Sequence, residues 1–287
     1  MTYTSPLTEP RHPWRNIGRF LLGLVLIVFV LAEIYPIFWL LMSSFKAPDE
    51  FALQPIYALP RGFHLDNYVT AWNAGMGTYF RNSVIATFPA VFLTVFISAA
   101  AAFGIEVLRW RWSGAALLWI LAGIMIPLQI VLLPIFAIFL QLRLLNSLYG
   151  LILLYTAFGI PLSVFLITGY LKALPREVTE AAIVDGASIF KAFYRVVLPM
   201  MANSLLTVGL IQFFFFWNEL LLSLTFISSG NLRSVQTGLL AFTGEFGAVA
   251  WGPTFAGIAI AVIPTLLVYL FLNRYIVKGL TSGAVKG

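Results

Sequence analysis

The sequence predicts an all-α polytopic membrane protein with six transmembrane helices and both termini in the cytoplasm. Three observations lead there. The chain is 61% hydrophobic and only 10% charged, with a mean hydropathy of +0.95, whereas soluble domains average about 45–50% apolar and about 25% charged residues. Six apolar runs approach or exceed the roughly 20 residues that a helix needs to cross hydrocarbon. Lys and Arg are unevenly divided between the alternate sides of those runs, twelve against five. Cytoplasmic loops collect basic residues, so the richer side is read as the cytoplasm.

Taken in order, residues 1–19 form a tail with Arg11, Arg15 and Arg19. Phe20–Met42 is the first span. It follows basic residues, but it is longer than the about 7–15 residues of a signal-peptide core, and no A-x-A-like site closes it. Ser43–Arg81 carries Asp49, Glu50, Asp66, Pro55 and Pro60. It is too polar to cross and is predicted to form a small cap outside the membrane. Asn82–Ile105 is the second span, with Pro89 inside, and Arg109 and Arg111 follow it. Ser113–Leu140 is the third, containing Pro127 and Pro134, and Gln141–Leu148 is a brief loop. Tyr149–Leu171 is the fourth, with a kink expected near Gly159-Ile160-Pro161. Met201–Ile227 is the fifth, Ser228–Ala250 a polar loop, and Trp251–Tyr275 the sixth, with Pro264 inside; residues 276–287 are a second cytoplasmic tail. Neighbouring helices can satisfy the carbonyls that proline frees, so tolerance is the simpler reading of each proline and a hinge the alternative.

The long polar interruption of the second half is Lys172–Pro199, KALPREVTEAAIVDGASIFKAFYRVVLP. Its four basic and three acidic residues cannot sit in hydrocarbon. Pro175 suits a first helical position, Arg176–Val184 follows without a breaker, and Asp185-Gly186 signals a turn. Ser188 can cap a second short helix whose apolar face is Ile189, Phe190, Phe193 and Val197. Ala181, Ala182, Gly186 and Ala187 offer small side chains to a partner, and Glu180 adds one charged anchor. A docking knuckle is the physical reading; composition alone fits a solvated connector equally well.

The order of residues separates the two. Glu180-Ala181-Ala182, then Gly186 after three residues, then Val196-x-Leu198-Pro199 after nine more, resembles the EAA loop of permease subunits of binding-protein-dependent ABC importers. Val196 stands where that pattern usually has Ile. The surrounding LPREVTEAAIVDGAS resembles the carbohydrate branch. The resemblance implies that Glu180, Ala181, Ala182, Asp185, Gly186, Ala187, Leu198 and Pro199 couple the chain to an ATPase. The tail VKGLTSGAVKG reads by itself as a flexible, frayed end. It resembles the tail of the second permease subunit of maltose-type importers, which implies an ATPase contact through Gly279, Gly283, Lys286 and Gly287. Ser228–Ala250 sits where that subunit carries a loop reaching into the sugar-binding protein. The assembly so implied has a second permease subunit, two ATPase subunits and an extracytoplasmic sugar-binding protein, set in membrane lipid. ATP and Mg serve the ATPase partner, and this chain binds no cofactor.

Signatures of enzymes are missing. There is no G-x-x-x-x-G-K-[ST] loop, H-E-x-x-H or G-x-S-x-G, and no cysteine. His12 and His64 fall on opposite sides of the membrane, so no metal site is expected. No basic run with interleaved aromatics argues for nucleic acid. Two carboxylates lie within apolar runs, Glu33 and Glu219, and such groups mark function by default. Glu219 ends FFFFWNE, taken as the middle of the fifth span. Aromatic faces stack on sugar rings while amide and carboxylate bond hydroxyls, so Trp217, Asn218 and Glu219 are the candidate substrate path; Phe213 and Phe214 read as packing. Two other readings stay open: an importer of glycerol phosphate, which the same branch contains, and a proton-coupled secondary transporter using Glu33 and Glu219. A cysteine placed at Ser188 is the only thiol in this chain. It should escape a membrane-impermeant maleimide applied from outside and react once the cytoplasmic face is opened; ready labelling from outside reverses the topology.

Overall fold

The computed structural model describes residues 13–242 and 249–284. α1 (Pro13–Ser43) is followed by two short helices, α2 (Pro48–Leu53) and α3 (Asp66–Ala71). α3 runs through a π turn at Trp72–Met76 into α4 (Gly77–Glu106). Then come α5 (Ser113–Met125), α6 (Leu128–Gln141), α7 (Leu148–Lys172), α8 (Arg176–Val184), α9 (Ile189–Met200) and α10 (Ala202–Trp217). α11 (Leu221–Phe226), α12 (Val235–Leu239) and α13 (Trp251–Ala284) complete the chain. Four helical stretches are long and apolar enough to cross a membrane, Gly18–Ser43, Asp66–Glu106, Leu148–Lys172 and Trp251–Leu272; counting each bent pair as one span makes six.

The bent pairs correct two of the sequence-based boundaries. Ser113–Leu140 is not one rod: α5 and α6 meet at 101°. Ile126 is extended (φ −86°, ψ 115°), the conformation toward which the ring of Pro127 pushes the residue before it. Pro36, Pro89, Pro134, Pro161 and Pro264 lie inside helices that continue through them. Gly159-Ile160-Pro161, where a kink is expected, lies within one continuous helix. Met201–Ile227 is also divided. α9 and α10 meet at 76°, and α10 stops at Trp217. Its 16 residues rise only about 24 Å, short of the roughly 30 Å of a hydrocarbon core.

The most extensive helix contact joins α4 to α7, which run parallel. Small residues on α4 let the two approach: Ala86 and Ala90 pack with Leu151, Leu154 and Tyr155, and Ala99 and Ala102 with Ile167 and Leu171. In a bilayer such close packing replaces the hydrophobic drive available in water. At one end Lys172 pairs with Glu106 at 3.4 Å, beside the turn to Arg109. At the other, Asn82 Nδ2 donates to the carbonyls of Asn231 (2.8 Å) and Arg233 (3.0 Å), and Val235 N donates to Ser83 Oγ. Asn146 holds the same loop, with Nδ2 donating to Ser229 Oγ at 2.7 Å and Oδ1 accepting from Ser229 N at 2.8 Å. The described part of the Ser228–Ala250 loop is thus laid against the bundle; residues 243–248 lie outside the described residues.

The cap between α1 and α4 is organised by a carboxylate. Glu50, 2% exposed, accepts from Ala47 N, Arg61 N and Gln54 Nε2 at 2.9–3.3 Å, with His64 at 3.9 Å. Desolvation pushes its pKa up, but the bonds from Arg61, Ala47 and Gln54 prevail and hold it below the ordinary 4.5. A lowered folded pKa adds stability above the unfolded value and loses it as pH falls through the folded one. Glu50→Gln turns an amide donor toward a backbone N–H, at a cost of about 1–3 kcal/mol. The thermal unfolding gap between wild type and Glu50→Gln should therefore be constant from neutral pH down to about 5.5 and close below 4.5. A pH-independent gap would rule out the charge as its cause.

Candidate functional site

The polar stretch after α7 folds as a helix–turn–helix. Pro175 is the N-cap of α8 rather than its first residue, with ψ 125°. α8 ends in a Schellman motif: Ala187 N donates to Ala182 O and Gly186 N to Ile183 O, both at 3.0 Å. Gly186 closes it at φ +83°, and nothing within the chain lies within 4 Å of where a Cβ would stand. The glycine is demanded here by backbone conformation, not by crowding in this chain. Ser188 Oγ accepts from Lys191 N at 3.3 Å and starts α9. The apolar face of α9 is split in two. Phe193 and Val197 are buried against Ala102, Phe103 and Ile167, whereas Phe190 is 77% exposed, as is its neighbour across the turn, Val184, at 86%. Glu180, Ala181, Asp185, Gly186 and Pro199 are exposed; Ala182, Ala187 and Leu198 are half-buried. A cleft of about 190 Å³ runs under α8, lined by Glu106, Arg109, Lys172, Thr179, Glu180 and Ile183.

The second candidate region is a helix break, not the middle of a helix. α10 ends at Trp217, and Asn218–Leu220 separates it from α11. Glu219 turns back to cap α11: Oε1 accepts from Leu222 N at 2.8 Å and Oε2 from Ser223 N at 3.1 Å, with Tyr155 against the same carboxylate. Charge that would be costly in hydrocarbon is here matched to unpaired helix N–H groups. Asn218 is exposed; its Nδ2 donates to Phe214 O, and its Oδ1 accepts from Gln236 at 3.4 Å. Trp217 faces away from both. It is 2% exposed, stacks on Phe213 at 5.6 Å and donates to Ala261 O at 2.9 Å, so it ties α10 to α13. Phe213 is buried as the packing reading expected. Glu33 is exposed on α1, far along the chain from this cluster.

A cavity of about 220 Å³ opens beside the break, lined by Tyr155, Gly159, Gln212, Phe216 and Glu219, with Leu128 from α6. Sequence reasoning passed over Tyr155 and Gln212. Gln212 is 2% exposed and donates to Ser163 Oγ at 2.9 Å and Gly159 O at 3.3 Å. Its only signal was one amide in the apolar run LLTVGLIQFFFFW. Gly159 is required where these helices touch, since a Cβ would stand 2.7 Å from Phe216 and 2.8 Å from Thr94. The break is also tied to the outer loop. Ser223 Oγ donates to Ser234 Oγ at 2.9 Å, and Gln236 Nε2 donates to Trp217 O at 3.3 Å.

The tail is helical further than its Gly and Ser content predicts, since α13 continues through Gly279 and Gly283 to Ala284. An apolar span feeding directly into it outweighs the roughly 1 kcal/mol that each helical glycine costs. Lys286 and Gly287 lie outside the described residues. Among the described residues, no group of three or more His, Cys, Asp or Glu could hold a metal ion.

Comparison with known proteins adds to this geometry. Residues 94–282 match the family described as the binding-protein-dependent transport system inner membrane component. The chain is 37% identical over 279 residues to the probable ABC transporter permease protein YurM of Bacillus subtilis, covering 97% of this chain and 92% of that one. It is 33% identical to the diacetylchitobiose uptake system permease protein NgcG of Streptomyces coelicolor, covering 91% and 87%. Its fold superposes with a TM-score of 0.82 on a chain of a bacterial ABC transporter that imports the acidic polysaccharide alginate, at 19% identity, over 93% of this chain and 99% of that one.

The capping geometry makes a direct prediction. Glu219→Ala leaves two N–H groups of α11 without a partner in apolar surroundings, about 1–3 kcal/mol each, and should lower the thermal midpoint of the purified protein markedly. Glu219→Gln keeps one acceptor and should lose about half as much. Equal, small losses in both variants would mean that the cap contributes nothing to stability.

Proposed function

The chain belongs to the binding-protein-dependent transport system inner membrane component family, and from that membership we propose that it is the sugar-conducting second permease of a heterodimeric importer. As a family member it is a multi-pass inner-membrane permease subunit of an ABC importer, without a catalytic domain or cofactor of its own. Such a transporter implies a separate ATPase and a binding protein as partners. A proton-coupled mechanism through Glu33 and Glu219 loses its footing. Glu219 is engaged as a helix cap, and the family is driven by ATP.

The observation that carries the proposal is the knuckle formed by α8 and α9. One half of its apolar surface is anchored in the bundle through Phe193 and Val197, while the other half, Val184 and Phe190, is bare. A solvated connector would not hold two large apolar side chains in water beside a rigid turn. We read this surface as the ATPase contact, with Glu180, Ala181, Ala182, Asp185, Gly186 and Ala187 around it and Leu198 and Pro199 securing its base. α9 continues through the bend at Met201 into α10, whose far end is the Glu219 break. Closure of the ATPase dimer on ATP would swing α9 and, through α10, reshape the cavity at Glu219. That is alternating access, with ATP's preference for one state supplying the shift. In this reading the knuckle and both tails are cytoplasmic, the cap and the Ser228–Ala250 loop face the binding protein, and the end of α13 with Gly279 and Gly283 reaches the ATPase.

Sugar as cargo is supported by the chitobiose permease relative and by the aromatic and amide lining of the break, where Asn218 stays exposed. The second permease is supported by α1, which is exposed around its whole circumference from Phe20 to Tyr35, more surface than one face toward lipid needs. Trp217 holds α10 to α13 and would shape the path rather than touch sugar.

Two experiments test the proposal. Glu180→Ala should weaken ATPase retention at least about tenfold, the loss expected when one partner of a charged contact is removed. Gly186→Val, which forces a branched residue to positive φ at about 1–2 kcal/mol or more, should uncouple hydrolysis from transport, whereas Gly186→Asn, which tolerates that φ, should keep coupling. Full ATPase retention and coupling in both Glu180→Ala and Gly186→Val would reject the knuckle as the contact. Asn218→Leu should slow sugar uptake while leaving assembly intact; uptake at the wild-type rate would remove Asn218 from the path.

A further inference from the structure

A further cavity, of about 290 Å³, lies where the cap meets α1 and α13 and shares no residue with the Glu219 cavity. It is bounded by Trp39 at the end of α1, Lys46, Glu50 and Phe51 in the cap, and Trp251 and Phe255 at the start of α13. Its aromatic wall is continuous: Phe51 stacks on Phe255 at 5.7 Å, Trp39 meets Phe255 edge-on at 5.2 Å, and Trp251 lies 6.1 Å from Phe255.

The group that calls for a ligand is Lys46. Its side chain is 2% exposed, yet among the described residues it forms no ion pair. Its Nζ has one hydrogen bond, to Ile56 O at 3.4 Å, and lies 5.8 Å from the centre of the Phe51 ring. That bond is long, and Trp39 Nε1 already donates to the same carbonyl at 2.7 Å. An ammonium has three donors, so two are left without a partner among the described residues, and Lys46 lines the cavity. A buried cation left so is costly unless an anion meets it. Glu50 does not serve: no ion pair joins it to Lys46 within 4 Å, and its oxygens turn to Ala47 N, Arg61 N and Gln54.

The position selects the anion. Lys46 stands just beyond Ser43, where the membrane-length run of α1 ends, and that helix carries bare apolar side chains up to Phe38. Trp39 and the half-exposed Trp251 mark the depth at which tryptophans gather in a bilayer. We infer that this cavity binds the phosphodiester of a membrane phospholipid, with Lys46 on the phosphate oxygens, the glycerol backbone on the aromatic wall and the acyl chains along α1. Basic pockets between membrane helices capture headgroups in this way. A free phosphate ester shares the charge but has no chains to lay on α1. The inference does not depend on which sugar is carried.

The test uses the assembled transporter with its ATPase and second permease, delipidated in detergent. Short-chain phosphatidylglycerol and phosphatidylethanolamine are titrated while thermal unfolding is followed, against diacylglycerol, which lacks phosphate, and glycerol phosphate, which lacks chains. Either phospholipid should raise the midpoint, and neither control should. Lys46→Gln should need roughly ten- to hundredfold more phospholipid for the same shift, as expected for losing a charge-assisted bond, and Lys46→Arg should restore it. Native mass spectrometry should show one fewer retained phospholipid per copy of this chain in Lys46→Gln. An equal shift with diacylglycerol overturns the inference on wild-type protein alone, whatever the variants do. An equal shift with glycerol phosphate overturns the lipid as source. An unchanged lipid count together with loss of the second permease from Lys46→Gln would assign the cavity to that protein partner instead.

Discussion

The parallel contact of α4 with α7 is the constraint from which the rest of the molecule takes its position. Lipid chains are as apolar as leucine, so two membrane helices stay together only where backbones come close and polar atoms meet. Here Ala86, Ala90, Ala99 and Ala102 supply the closeness, Gly159 admits Phe216 and Thr94, and the Glu106–Lys172 pair clasps one end. Leu171 and Ile167 then form the shelf on which Phe193 and Val197 rest, so the knuckle inherits its place from the helix pair beneath it.

α10 crosses this pair and is short, and its shortness creates the polar chemistry of the bundle. A helix that stops inside a membrane exposes backbone groups that must be paired within the protein. Glu219 supplies two acceptors to α11, Asn218 returns to Phe214 O, and Gln236 of the outer loop reaches Trp217 O. The same bonds connect the 228–250 loop to Glu219, which lines the cavity with Tyr155 and Gln212, at the end of α10 opposite its bend at Met201.

The knuckle shows how much a short motif can say by itself. Asp185-Gly186, the Ser188 cap and the helix over Arg176–Val184 were legible because each depends on bonds within a few residues, and the structure has all three. The division of α9 into an anchored half and a bare half was not legible. Ile189, Phe190, Phe193 and Val197 form one apolar pattern in sequence, and only the presence of Ala102 and Phe103 opposite two of them distinguishes the buried half from the exposed one.

By itself the sequence determined that the chain is a helical membrane protein, roughly where its apolar runs lie, and which segments gather at each end, because composition, run length and charge asymmetry are local or additive properties. Pro127 biases Ile126 locally toward extended backbone, but only the surroundings decided that the third run bends there by 101° while five other prolines are absorbed, since a proline is tolerated or not according to what surrounds its freed carbonyl. Packing also converted Glu219 from a mid-helix charge into a cap, turned Trp217 into a strut and brought Tyr155 and Gln212 to the cavity. The strut and the cavity are set by partners tens of residues away, and the cap, though local, exists only because α10 stops at Trp217; a side chain's chemistry is defined only once its neighbours in space are known.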